Sequence, residues 1–80
     1  MTYRFKHIGL QTYISDTSVP VNGKSFRVAF MASSEGTGKA RVWHVIATHF
    51  DGEKLIKHMS QAASRDEAAN LALSNLLAGV

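Results

Sequence analysis

The 80 residues predict an α+β fold: an antiparallel four-stranded meander with one carboxy-terminal helix packed on one face, as a single domain over 1–80. Three observations carry that expectation. Ser64-Arg65-Asp66-Glu67 forms a capping box at the head of an amphipathic segment. Asn22-Gly23 and Asp51-Gly52 are two-residue turn signals. Between and around them, apolar residues alternate with period two, the spacing of a half-buried strand.

Taken in order, Tyr3, Phe5, Ile8, Leu10, Tyr13 and Ile14 alternate imperfectly around Gly9, which reads as one bent or bulged strand, with a short helix as the alternative. It continues into Val19-Pro20-Val21, and because Pro20 has no N–H for a ladder bond, the strand belongs at a sheet edge. Asn22-Gly23, with positive φ at both positions, turns the chain into a second strand. There Phe26, Val28 and Phe30 alternate with Arg27, Ala29 and Met31 for about eight residues, and the strand ends in the loop Ser33–Lys39. A third strand runs from about Arg41 to Phe50, and Asp51-Gly52 turns it into a fourth, Glu53–Met59. In the closing helix Ala69, Ala72, Leu73, Leu76, Leu77 and Val80 make one stripe, and Leu71 falls nearly opposite it.

A two-residue turn at Asp51-Gly52 sets the register: Phe50 opposes Glu53, Thr48 opposes Leu55, Ile46 opposes Lys57 and His44 opposes Met59. On the other face His49 opposes Lys54, Ala47 opposes Ile56, Val45 opposes His58, and Trp43 sits near Ser60. Both faces therefore carry large apolar side chains, while a single helix covers only one. Either Trp43, Val45 and Ile56 or Ile46, Phe50, Leu55 and Met59 need a second cover. The amino-terminal segment, a second copy of the chain and a heterologous partner are the three candidates.

Composition bounds the rest. A chain of this length forms one small core that buries roughly 60% of its unfolded surface and is marginally stable alone. Hydrophobic content of 45% with 19% charged residues and one proline excludes a disordered chain. Nine Lys and Arg against six Asp and Glu give a formal charge of +3, but the basic residues are scattered singly from Arg4 to Arg65, as on a solvated surface. With no cysteine, disulfide and thiol chemistry are absent, as is usual in a cytoplasmic protein. The start Met1–His7 has no apolar stretch of signal-peptide kind, and no later segment is apolar enough for a membrane span.

Catalytic and metal chemistry find no constellation. His44 and His58 lie on opposite faces in the expected register and His49 faces Lys54, so no three histidines converge. Gly36-Thr37-Gly38-Lys39 lacks the glycine spacing, the following Ser or Thr and the helix of a phosphate-binding loop. Asp51, Glu53, Asp66 and Glu67 are explained by a turn, a strand start and a helix amino terminus. No enzyme activity, cofactor or metal is expected.

From Phe26 onward the order strand, loop, strand, tight turn, strand, helix resembles the last two-thirds of a double-stranded-RNA-binding domain. The final helix of that family opens with a Ser-Lys-Lys-x-Ala-Lys type pattern. Ser64, Glu67 and Ala68 match it and Arg65 keeps one positive charge, but Asp66 and Ala69 stand where the family has phosphate-binding lysines. The resemblance implies the topology more than it implies RNA binding.

These readings converge on a small non-enzymatic interaction protein that binds and blocks a macromolecular partner, with Trp43, Val45, Ile56, Met59 and Leu71 as anchors. The chain type fits phage or mobile-element inhibitors of host nucleic-acid-handling defence complexes, such as anti-CRISPR proteins. Direct nucleic-acid binding through Lys39, Arg41, Lys54, Lys57 and Arg65 is the second reading, and a homodimeric structural domain the third.

Overall fold

The computed structural model describes residues 3–50 and 52–78. Five strands, β1 (Lys6–Gly9), β2 (Thr12–Val21), β3 (Lys24–Glu35), β4 (Val42–Phe50) and β5 (Leu55–Ala62), form one antiparallel sheet in sequence order, and α1 (Arg65–Ala78) follows. The fold is the expected α+β meander with its helix, but it has five strands where four were expected. The segment read as one bulged strand is a hairpin. Lys6 and His7 fold back on Ile14 and Tyr13, and the register slips between His7 and Gly9. The chain reverses at Leu10-Gln11 with Gln11 at φ 57°. A glutamine in the left-handed region gives no local turn signal, so the reversal was hidden.

The Asn22-Gly23 turn forms as its chemistry requires. Asn22 has φ 51° and Gly23 φ 79°, and Val21 pairs with Lys24 across it. β1 reaches along β2 only as far as Ile14, so residues 15–21 are a free edge and Pro20 sits where no ladder donor is needed. β3 is longer than expected, taking in Ser33, Ser34 and Glu35, and a short 3-10 turn at Gly38–Ala40 completes the connection to β4.

The register between β4 and β5 differs from expectation by two residues. Phe50 pairs with Leu55, Thr48 with Lys57, Ile46 with Met59 and His44 with Gln61, across a connection of residues 51–54 instead of a two-residue turn. Asp51, half of the expected turn, lies outside the described residues, as does Val80 of the expected helical stripe. A slip of two keeps every side chain on its face, so the assignment of residues to faces stands although each pairing changes.

Ser64 caps α1, its Oγ accepting from the Glu67 N–H at 3.2 Å, and Asp66 and Glu67 complement the first turn. The helix lies across β4 and β5 and touches β3 only at its margin. Ala68, Ala69 and Ala72 let it approach closely, and Leu73 and Leu76 complete a core with Val28, Phe30, Ala32, Val45 and Ala47.

The remainder of this face, over β2 and β3, is filled by the amino terminus. Tyr3 is buried with its ring 4.8 Å from Phe30, Phe5 lies against both rings, and the Tyr3 hydroxyl donates to Asn70 Oδ1 at 2.6 Å. Burial, with the Asp66 carboxylate adding to it, pushes the Tyr3 hydroxyl above its usual pKa. Tyr3→Phe is expected to cost about 1 kcal/mol, read by urea denaturation, by orphaning the Asn70 carbonyl. Because the folded-state value is raised, this stabilisation is complete below pH of about 10 and fades as pH climbs through the raised pKa. The phenylalanine variant should therefore lose less stability than the parent on that alkaline limb.

Candidate interaction surface

The position of Tyr3 and Phe5 decides which side of the sheet is covered. Both lie on the helix side, so among the described residues the amino-terminal segment does not cover the opposite face. That face is ordered in cross-strand rows. Ile14, Met31, Ile46 and Met59 are consecutive partners across β2, β3, β4 and β5 and make one continuous apolar row. The next row is Asp16, Ala29, Thr48 and Lys57, and beyond it Phe50 pairs with Leu55 beside Ser18 and Arg27. On the other flank the row is Thr12, Ser33, His44 and Gln61.

Three of the four row residues are exposed and Ile46 between them is half-buried. Met31 is 51% exposed, Met59 63% and Phe50 64%, with Leu55 and Ile14 also open to solvent. A shallow depression of ≈ 310 Å³ lies over the small side chain of Ala29, walled by Ile14, Asp16, Met31 and Thr48. At the rim His44 Nε2 meets Glu35 Oε1 at 2.6 Å. A flexible apolar row with a depression beside it and polar groups around it has the anatomy of a docking surface.

The five anchors expected from sequence do not share a surface. Val45 is completely buried beneath α1 and is a core residue, so it is withdrawn as an anchor. Trp43 and Ile56 are half-buried on the helix side, packed against the core margin. Leu71 is 50% exposed on the outer side of α1. Only Met59 belongs to the open face, which also holds Ile14 and Met31, two residues missing from the expected set. Their signal was present in the alternation: Met31 follows Arg27 and Ala29 at the same parity, opposite to buried Val28 and Phe30.

The basic residues are also dispersed. Lys39 and Arg41 stand at the end of the sheet where β4 begins, Lys54 precedes β5 at the other end, and Lys57 is on the open face. Arg65, at the first helical position, is turned inward. Its guanidinium lies 4.5 Å from the Phe5 ring centroid, 5.1 Å from Tyr13 and 5.8 Å from Trp43, held by ring faces. The five therefore form no single cationic stripe.

Three of the four histidines have separate partners, that of His44 being Glu35. His7 stacks on Tyr13 at 4.8 Å, and His49 stacks on Phe26 at 3.6 Å with Nδ1 2.8 Å from the Arg27 carbonyl oxygen. His49 thus faces Phe26 and pairs with Ile56; the expected opposition to Lys54 followed from the two-residue slip. Among the described residues no group of three His, Asp or Glu is placed to hold a metal ion, and no helix is long and apolar enough to cross a membrane.

No protein-family model, curated protein or solved structure matches the chain. What defines it is the architecture, an α+β meander with one face closed by a helix and an aromatic amino terminus and the other left open.

Proposed function

We propose that this chain is a non-enzymatic interaction protein whose working surface is the open face of its sheet. The observation that carries the reading is the row of exposed Ile14, Met31 and Met59 with half-buried Ile46 among them, flanked by Phe50 and Leu55. Solvated apolar surface of this extent gains free energy when a partner covers it, roughly 25 cal/mol per Å² removed from water. The methionines suit the role because their unbranched side chains repack against an incoming surface. A chain this small blocks a partner by occupying its surface, the mode expected of an inhibitor.

A nucleic-acid partner asks for something else: cations converging on a phosphate track. Arg65 is held by aromatic rings and Lys54 is at the far end of the sheet from Lys39 and Arg41, so the geometry favours the apolar reading.

The test compares immobilised wild-type chain with immobilised Met31→Asp/Met59→Asp chain in a nuclease-treated bacterial lysate supplemented with untagged wild-type chain. Stoichiometric protein retained by the wild type, whether the added copy or another protein, and lost by the double variant is the expected result. Retention indifferent to the two substitutions, or recovery of nucleic acid alone in a parallel run without nuclease, defeats the reading. Both substitutions replace exposed side chains, and circular dichroism is expected to show the parent fold.

A further inference from the structure

Building on the open face as a docking surface, we infer that its occupant is a second copy of this chain, packed sheet against sheet about a two-fold axis that runs along the strands. Such an axis exchanges β2 with β5 and β3 with β4 and keeps each cross-strand row at its own level. The row Ile14, Met31, Ile46 and Met59 then lies against its own reverse, apolar on apolar.

The neighbouring row supplies the specificity. It carries Asp16 at one edge and Lys57 at the other, so its reverse sets Asp16 against the second copy's Lys57, twice per dimer. Within one chain the two residues sit three strand spacings apart, about 14 Å at ~4.8 Å per strand. Neither makes an ion pair among the described residues. Among the described residues neither charge has a counterion within its own chain, and reversal by the two-fold axis gives each one.

The competing axis runs across the strands through the apolar row. It sets Arg27 over the second copy's Glu35 but places Asp16 over Thr12 and Lys57 over Gln61, four charges per dimer without partners, against the two of Arg27 over Phe50 about the axis along the strands. The axis along the strands is therefore preferred. Aligned sheets cross at about 30°, and the lysine side chain is long enough to absorb that offset.

Size is also adequate. Four strands and four rows give a flat footprint on the order of 500 Å² per copy, so two uneven surfaces bury on the order of 1,200 Å² in all, the lower end of specific interfaces.

The experiment mixes two charge-reversed chains. Sedimentation equilibrium of the wild type is expected to give twice the 8.7 kDa chain mass at high micromolar concentration. Asp16→Lys alone and Lys57→Asp alone each put two like-charge pairs into the dimer, raising Kd by about tenfold or more. Mixing the two chains, or combining both substitutions in one chain, is expected to restore the wild-type Kd. Rescue by mixing cannot come from folding, because neither chain is altered by the other's presence except through contact.

A wild type that stays monomeric overturns the inference, and so does a dimer indifferent to charge reversal. Lysate capture through Met31 and Met59 reports separately on the face itself. A monomer whose face still captures a different protein defeats the second copy and leaves the interaction reading intact.

Discussion

Phe30→Ala is expected to remove about 3–5 kcal/mol of stability and leave the chain largely unfolded at room temperature. Phe30 is 2% exposed, and the rings of Tyr3 and Phe5 lie 4.8 Å and 6.3 Å from its own. Truncation would therefore leave a cavity and also remove the surface on which the amino-terminal segment rests. Native domains are stable by about 5–15 kcal/mol, and a chain of this length, with a low fraction of its surface buried, belongs at the bottom of that range. A loss of 3–5 kcal/mol is then most of the total. Urea denaturation followed by Trp43 fluorescence and circular dichroism measures it, with Phe50→Ala as the comparison. Phe50 is on the open face, so the same truncation there is expected to cost the monomer less than about 1 kcal/mol. Equal costs at the two positions would mean that the core is not where Phe30, Tyr3 and Phe5 meet.

The contrast between those two phenylalanines was partly legible in the sequence. Period-two alternation places Phe26, Val28 and Phe30 on one face and Arg27, Ala29 and Met31 on the other, and the structure keeps that division. The Ser64 cap and the Asn22-Gly23 turn are set by one local hydrogen bond and by backbone angles, so they needed no tertiary information. What failed depended on contacts distant in sequence. Gln11 takes a positive φ because β1 pairs with β2, a gain that residues around position 11 do not encode. The four-residue connection at 51–54 displaced a two-residue turn that Asp-Gly made attractive, and Ile46 thereby gained Met59 as its partner in place of Lys57. That exchange built the apolar row. The candidate surface was thus visible as a parity but not as a set of neighbours, and Val45 was misread because parity alone does not say which face the helix takes.

Arg65 shows the same limit from another direction. As a letter between Ser64 and Asp66 it reads as a surface cation and a phosphate ligand. Its surroundings are decided by the hairpin β1–β2 and by the amino terminus, which bring Tyr13 and Phe5 to the strand end where Trp43 lies. Ring faces attract a guanidinium, and the side chain that seemed free to meet a ligand instead fastens the helix to three separate parts of the chain.

Val45→Asp is expected to abolish folding at neutral pH, whereas Met59→Asp, one residue step along the same strand pair and on its other face, leaves the monomer folded. Val45 is 0% exposed, paired with Ala32 on one side and Ser60 on the other beneath α1. A carboxylate there loses its hydration and has no cation directly opposite it in either neighbouring strand, a cost of several kcal/mol that exceeds what the small core supplies. Desolvation raises the folded-state pKa of the introduced group, so the neutral acid is the form the core tolerates. The penalty therefore grows as pH rises through and above the ordinary carboxylate range and shrinks as pH falls toward about 4. Met59 is exposed, its carboxylate substitute stays hydrated, and its cost in the monomer is expected within about 1 kcal/mol at either pH. Thermal melts of dilute protein at neutral and mildly acidic pH separate the two cases. A Val45→Asp chain that melts like the wild type would place position 45 at the surface, and the face taken by the helix would have to be reassigned along with the open face opposite it.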